Sequence, residues 1–276
     1  MISVSSRFVY SMRVGLPKFW MLFYVVLFFI FLLGPIFIVV SISFTETEFV
    51  AFPPKGFSWR WYERFFEYEP FVDSFIVSVE LAIATALLGV GLGVPAALAV
   101  TRGKVPYANT IMTFLLSPLS MPLIVVGFAL LFYLSAIGFG VSFISLLIAH
   151  TVISLPYVVR TVAGVYRGIS PDYEESAAVL GANRIQIFWH VTLPMIKPGI
   201  FAGMLFAMLI SIDNLPISFF FGSADTNTLP VVMLSYLEHQ FDPSVAAASS
   251  IQLIVAVIGL FIVERIYGLD AMTPAS

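Results

Sequence analysis

The sequence contains no cysteine and carries few charges. Without a thiol, disulfide bonds and thiolate catalysis are excluded. Only 11% of the 276 residues are charged and 60% are hydrophobic, and the mean hydropathy is +1.01. A soluble globule of this size needs far more polar surface. The composition therefore predicts a protein whose exterior is solvated largely by membrane lipid.

Nucleotide and metal sites are also missing from the sequence. A phosphate loop needs Gly-x4-Gly-Lys-Ser/Thr, whereas the Gly-Lys pair at Gly103-Lys104 is followed by valine and lacks the earlier glycine. The histidines are scattered, without metal-ligand spacing: His150, His190 and His239. We expect no catalytic, cofactor or metal site and no nucleic-acid binding. His150 is expected to be packed or hydrogen-bonded inside the membrane, the alternative being a proton relay.

Six apolar segments are long enough to cross a bilayer, which takes about 20 residues for about 30 Å of hydrocarbon. These spans are predicted at 19–43, 74–100, 109–134, 142–162, 198–222 and 244–266. Gly34-Pro35 is expected to kink the first helix rather than end it. The first segment is too long for the apolar region of a signal peptide, so it is predicted to be retained.

Positive charge predicts the orientation of the chain. With the N-terminus inside, ten of the 13 Lys and Arg residues are cytoplasmic, and the others lie in the first external loop: Lys55, Arg60 and Arg64. Basic residues are enriched on the cytoplasmic side of membrane proteins. Both termini are therefore predicted to be cytoplasmic, with residues 163–197 as the largest internal loop.

Capping signals divide this loop into two short helices. Ser170 can cap the first, with Pro171 in its first turn, and Gly181 fits the position after its end, where a left-handed backbone is favoured. Asn183 and Gln186 have the spacing of a capping box at the start of the second.

The second loop helix repeats apolar residues at Ile185, Phe188 and Trp189 and is predicted to end at Leu193-Pro194. A short amphipathic helix needs a surface to cover its apolar side. From this pattern alone, the preferred interpretation is a helix lying on lipid headgroups.

The loop also contains a spaced motif, E-S-A-x3-G-x9-V-x-L-P. Its residues are Glu175, Ser176, Ala177, Gly181, Val191, Leu193 and Pro194. It resembles the cytoplasmic "EAA" loop of permease subunits in binding-protein-dependent ABC importers. Ser176 replaces the usual alanine and Val191 the usual isoleucine, and both changes conserve size.

Further blocks make the chain from about His150 to Ile262 similar to permeases of the spermidine/putrescine importer group. They are His150, Leu155-Pro156-Tyr157, Leu180-Gly181-Ala182, Lys197-Pro198-Gly199-Ile200, Ser211-Ile212-Asp213-Asn214, Thr228-Leu229-Pro230-Val231, Asp242-Pro243 and Ala246-Ala247-Ala248. One departure is the Asn-Leu-Pro that follows Asp213, where many such permeases have an acidic residue followed by apolar ones.

The resemblance implies an all-α, polytopic protein with six transmembrane helices and the type I ABC importer permease fold. It would be a single domain over 1–276, with a core at about 70–266 preceded by the helix at 19–43, in a bacterial inner membrane. The implied partners are a homologous permease, two ATPases that hold ATP and Mg, a periplasmic binding protein and membrane lipid. The implied solute is a polyamine or a similar cation, the alternatives being an opine, thiamine, iron(III) or phosphonate.

The same resemblance implies that the first loop helix is a coupling helix seated in an ATPase. The residues carried over for this role are Glu175, Ser176, Ala177, Gly181, Phe188, Leu193 and Pro194. Glu175 would pair with a basic group or cap an amide of the ATPase, the alternative being a solvated acid at a helix start.

Two acids fall inside predicted spans, Glu80 in the second and Asp213 near the middle of the fifth. A charge there costs at least about 2.5 kcal/mol, and such residues usually face a cavity. Both are candidates for the solute pathway. The alternatives are a hydrogen bond between helices and, for Glu80, snorkelling to the interface. A secondary transporter using either acid as a proton or sodium site is the competing class, but it leaves the loop motif without a role.

Overall fold

A computed structural model describes residues 18–103, 105–223 and 226–267. Within these ranges the chain is helical and contains no strand, so the predicted all-α class is confirmed. The helices are α1 (Lys18–Ile42), α2 (Arg60–Glu67), α3 (Glu69–Arg102), α4 (Ala108–Leu116), α5 (Leu123–Ala136), α6 (Phe143–Gly168), α7 (Asp172–Val179), α8 (Arg184–Ile187), α9 (Leu193–Ile212), α10 (Leu215–Ser218), α11 (Leu229–His239) and α12 (Ser244–Tyr267). Both chain ends lie outside these ranges, so their cytoplasmic location stays a prediction.

Five helices in the described ranges are long and apolar enough to cross a membrane. They are Trp20–Ile42, Glu69–Arg102, Phe143–Gly168, Arg184–Ile212 and Ser244–Ile262. A sixth span is reached if Ala108–Ser120 and Leu123–Ala136 are counted together. α1 continues through Gly34-Pro35 rather than ending there, as predicted.

The predicted span 109–134 is not one continuous helix. α4 continues as a 3-10 turn to Ser120, and α5 then leaves at an angle of 107°. Met121 between them is extended, with φ −98° and ψ 140°. It precedes Pro122, whose ring disfavours the helical conformation in the preceding residue.

The predicted fifth span, 198–222, differs from the structure at both ends. α8 continues through a π-turn, Phe188–Thr192, directly into α9, so Leu193-Pro194 does not end the second loop helix. Pro194 falls in the first turn of α9, where a missing backbone N–H is tolerated. At the other end the helix stops at Ile212 rather than continuing to residue 222.

The core lies where α3, α6 and α9 pack together along small residues. A Cβ added at Gly203 of α9 would lie 2.8 Å from the Cα of Val158 and 2.6 Å from Oγ1 of Thr161, both on α6. A Cβ at Gly93 of α3 would lie 2.8 Å from Cγ1 of the same valine. Glycine lets membrane helices approach this closely. The three helices therefore form one closely packed unit, whereas α1 stays exposed along almost its whole length.

Candidate functional site

The first candidate site is loop 163–197, and the backbone around α7 follows local capping rules. α7 begins at Asp172 with Pro171 as the N-cap, one residue later than the predicted Ser170. The Asp172 N–H donates to the Ser170 hydroxyl at 3.4 Å. After the helix, Gly181 has a φ of +89°, and the Ala182 N–H donates to the Ala177 carbonyl at 3.1 Å. This is the glycine-ended helix that the sequence predicted.

The second loop helix begins with the predicted capping box. The Asn183 side chain accepts a hydrogen bond from the Gln186 N–H at 3.0 Å, and the Gln186 side chain accepts one from the Asn183 N–H at 2.9 Å. The direction of α8 is therefore fixed relative to the turn at Gly181.

Loop 163–197 exposes several large apolar side chains. Val179 and Leu180 are each 88% exposed, and Tyr173, Ile185 and Trp189 are also exposed. An exposed apolar patch of this kind marks a surface that another molecule covers.

The residues predicted for ATPase coupling divide between exposed and partly buried positions. The exposed ones are Glu175, Ser176, Gly181 and Pro194. The partly buried ones are Ala177, Phe188 and Leu193. The predicted coupling residues therefore do not all lie on one accessible surface.

Glu174, the residue before the motif, was missed as a site residue by the sequence analysis. Its carboxylate accepts hydrogen bonds from the Thr192 hydroxyl at 2.5 Å and the Tyr166 hydroxyl at 2.9 Å. It also forms a salt bridge with Arg102 at 3.2 Å. The sequence shows Glu174 only as one of three acids at a helix start, because Arg102 is 72 positions away.

The second candidate site is a cavity of about 530 Å³ between α9, α11 and α12. Its lining is mostly apolar, with Asp213 as its charged residue. Asp213 is not in the middle of a helix as predicted; it caps the C-terminus of α9. Its side chain is exposed in the described chain, which agrees with a cavity-facing position.

Polar side chains stabilise the break next to Asp213. The Asn214 side chain accepts a hydrogen bond from the Ile217 N–H at 3.0 Å and so caps α10. The Gln252 amide donates to the Ile212 carbonyl at 3.1 Å, which satisfies a helix-end acceptor that α9 leaves free. The sequence offered a signal for this break, since an asparagine followed by Leu-Pro is typical of a helix start.

Glu80, the other predicted pathway acid, is exposed on α3 and is not part of the cavity lining. The structure therefore does not bring the two acids together. Of the pair, only Asp213 lies where a solute could reach it through this cavity.

His150 is fully buried, and both ring nitrogens have hydroxyl partners. Nδ1 lies 2.9 Å from the Ser211 hydroxyl and Nε2 lies 3.1 Å from the Ser218 hydroxyl. The Ser211 hydroxyl lies 3.5 Å from that of Thr85. The histidine therefore joins α6 to α9 and α10 at the break, which fits the packed role predicted for it. Among the described residues, no group of three His, Asp or Glu side chains could hold a metal ion.

These features define a multi-pass membrane protein with a structured loop and a charged cavity. Residues 89–269 match the family described as binding-protein-dependent transport system inner membrane component. Because the match covers more than half of the chain, the protein belongs to this family.

Sequence similarity to individual transport permeases supports the same family membership. The chain is 31% identical over 222 residues to the spermidine/putrescine transport system permease protein PotC of Haemophilus influenzae, covering 80% of this chain and 86% of that protein. It is 35% identical over 214 residues to the molybdenum transport system permease protein ModB of Mycobacterium bovis, covering 72% and 78%.

A solved structure shows the same fold. It is a bacterial alginate ABC transporter in complex with an alginate pentasaccharide-bound periplasmic protein, with a TM-score of 0.70 and 17% identity over 94% of this chain and 96% of that chain. The predicted importer permease fold is therefore confirmed.

Proposed function

We propose that this protein is the permease subunit of an ATP-driven importer and that α7 is the helix that docks into an ATPase. The observation that carries the proposal is the C-terminal end of α7, where Val179 and the following Leu180 are each 88% exposed within the loop motif. A short helix with apolar anchors seated in a groove can transmit rigid-body motion. The motif residues Glu175, Ser176 and Gly181 are also exposed.

The complete assembly would contain this chain as a single domain, a second permease, two ATPases and a periplasmic binding protein. ATP and Mg would be held by the ATPases, since this sequence has no phosphate loop. The distribution of Lys and Arg supports a bacterial inner-membrane orientation with both termini and loop 163–197 in the cytoplasm.

The solute that the cavity supports best is a polyamine or another small organic cation. Asp213 places a carboxylate in the cavity, and the sequence has no Lys or Arg between residues 198 and 264. A cavity with one sign of charge concentrates solutes of the opposite sign. The PotC relative, named for spermidine and putrescine, points the same way.

A second candidate solute is a molybdenum compound, because the ModB relative is 35% identical. If that compound is an anion, the Asp213 carboxylate would repel it. The charge of the cavity therefore favours the polyamine.

The test is uptake by the complex purified from its host membrane with this chain and reconstituted in liposomes with its binding protein. We expect radiolabelled spermidine or putrescine to enter only when ATP is supplied on the ATPase side, and molybdate not to compete. Uptake driven by a proton or sodium gradient without ATP would contradict the importer. Uptake of molybdate without spermidine would contradict the cationic solute and leave the importer intact.

A further inference from the structure

α7 is attached to the rest of the protein by very few side chains. Of its eight residues, only Glu174 and Ala177 are shielded from solvent, and none is fully buried. These two lie three positions apart and so share one face of the helix. Since the alanine offers only a methyl group, apolar burial contributes little to holding the helix in place.

The Glu174 carboxylate supplies the connection that apolar packing lacks. One oxygen, Oε1, accepts from the Thr192 hydroxyl at 2.5 Å and from the Tyr166 hydroxyl at 2.9 Å. The other, Oε2, lies 3.2 Å from Nη1 of Arg102. Hydrogen bonds to an ionised group are shorter and stronger than neutral ones. The side chains of Arg102 and Glu174 are only 19% and 23% exposed, so water screens the pair weakly.

The partners of this carboxylate belong to three different membrane helices or their direct extensions. Arg102 is the last residue of α3, Tyr166 lies in the last turn of α6, and Thr192 ends the π-turn that enters α9. These are the helices that form the packed core. One side chain therefore contacts all three packed helices or their direct extensions.

Arg102 makes the connection stiffer because its other contacts fix the end of α6. Its Nη2 donates to the carbonyl of Tyr166 at 2.9 Å and also to the carbonyl of Ile169. Its guanidinium carbon lies 4.1 Å from the centre of the Tyr166 ring. The fork geometry of arginine lets one side chain hold these acceptors and the carboxylate together.

We propose that Glu174 is the positioning residue through which a displacement of α7 moves α3, α6 and α9 as one body. The proposal rests on the proposed function, because it assumes that an ATPase moves α7. The proposal assigns different roles to two adjacent acids. Glu175 faces outward toward a partner, whereas Glu174 faces inward and transmits the motion. Elements with two discrete arrangements can carry coupling in this way when they are rigidly connected.

The experiment compares Glu174→Gln with the wild-type complex in liposomes, using spermidine and ATP. The amide keeps the size of the side chain but removes its charge. We expect the ATPase to co-purify and hydrolyse ATP normally, while solute imported per ATP hydrolysed falls about tenfold. Arg167→Gln is the matched control, because Arg167 is an exposed basic residue next to Tyr166, and this variant should keep the wild-type ratio.

Tyr166→Phe provides a second, milder variant. It keeps the ring under Arg102 and deletes only the hydroxyl that donates to Glu174. In this variant, the solute imported per ATP hydrolysed should also fall. The double variant with Glu174→Gln should have a ratio no lower than that of Glu174→Gln alone, because both changes break one network. If Glu174→Gln lowers complex yield, the ratio measured for Tyr166→Phe decides the proposal instead.

A wild-type ratio in Glu174→Gln, or in Tyr166→Phe when it is the variant that assembles, would overturn the proposal while leaving the ATPase-docking function intact. The opposite failure is also distinct: a wild-type chain that never co-purifies with an ATPase contradicts the proposed function itself.

Discussion

The two ends of α9 differ in how the chain leaves the helix. At the loop end, the backbone stays helical through the π-turn into α8. At the other end, α9 stops at Ile212, and its last turn is completed by Gln252 from α12. A continuous helix can move as one piece, whereas the interruption at the other end borders the cavity lined by Asp213. One membrane helix thus joins the proposed docking loop to the candidate solute pathway.

A change in the middle of α9 should destabilise the packing that supports both the loop and the cavity. Gly203→Ala would place a Cβ 2.8 Å from the Val158 Cα, so α6 and α9 must separate. We expect a stability loss of about 1–3 kcal/mol and poor recovery of the complex. Thermal unfolding in detergent measures this loss. Gly91→Ala is the control, because its new Cβ would meet no atom within 4 Å beyond the neighbouring backbone of its own helix. Equal unfolding temperatures for the two variants would contradict the close packing.

The two ends also differ in how far they could be predicted from sequence. On the approach to the loop end, the turn at Gly181 and the capping box at Asn183 depend on residues within six positions, so local rules were sufficient. The continuation of α8 through Leu193-Pro194 into α9 was not predicted, because a proline in the first turn of a helix was interpreted as the end of the preceding one. The break at Asp213 was missed because its apolar surroundings read as one continuous span, and Gln252 lies 40 positions away. The role of Glu174 was missed for the same reason, since its salt-bridge partner comes from α3.

The next largest effect should come from the loop end alone. Gly181→Val forces a β-branched residue into a φ of +89°, at a cost of about 1–2 kcal/mol. The turn between α7 and α8 should rearrange, giving an inserted protein with weakened ATPase attachment and lost uptake. Gly181→Asn is the matched variant, because asparagine tolerates positive φ, and it should retain more of both activities. Normal co-purification and transport in the valine variant would refute the docking role of this turn.

A change confined to the cavity end should leave ATPase attachment intact. Asp213→Asn keeps the side-chain size and removes the charge, so uptake of spermidine should fall about tenfold while complex yield and basal ATP hydrolysis persist. Glu80→Gln is the control, since Glu80 does not line the cavity, and its uptake should match wild type. Asp213→Leu adds a test of folding, because a purely structural side chain would tolerate asparagine better than leucine. Equal uptake by Asp213→Asn and wild type would remove the electrostatic role.

The smallest effect should come from the cap after the break. Asn214→Ala removes the acceptor for the Ile217 N–H and should lower stability by about 1 kcal/mol. Thermal unfolding of the purified complex measures the loss. Asn214→Ser retains a neutral acceptor and should recover part of it; an alanine variant as stable as wild type would show that the cap does not hold the break.

The most direct measurement of the central claim is the affinity of the permease for its ATPase when the C-terminal end of α7 is changed. Leu180 is 88% exposed, and burying such a side chain against a partner is worth about 1.5–3 kcal/mol. Leu180→Ser should therefore weaken ATPase association by about tenfold or more. Phe241→Ser changes a side chain that is 75% exposed elsewhere and should leave association unchanged. Equal affinities for Leu180→Ser and wild type would contradict the assignment of α7 as the helix that docks the ATPase.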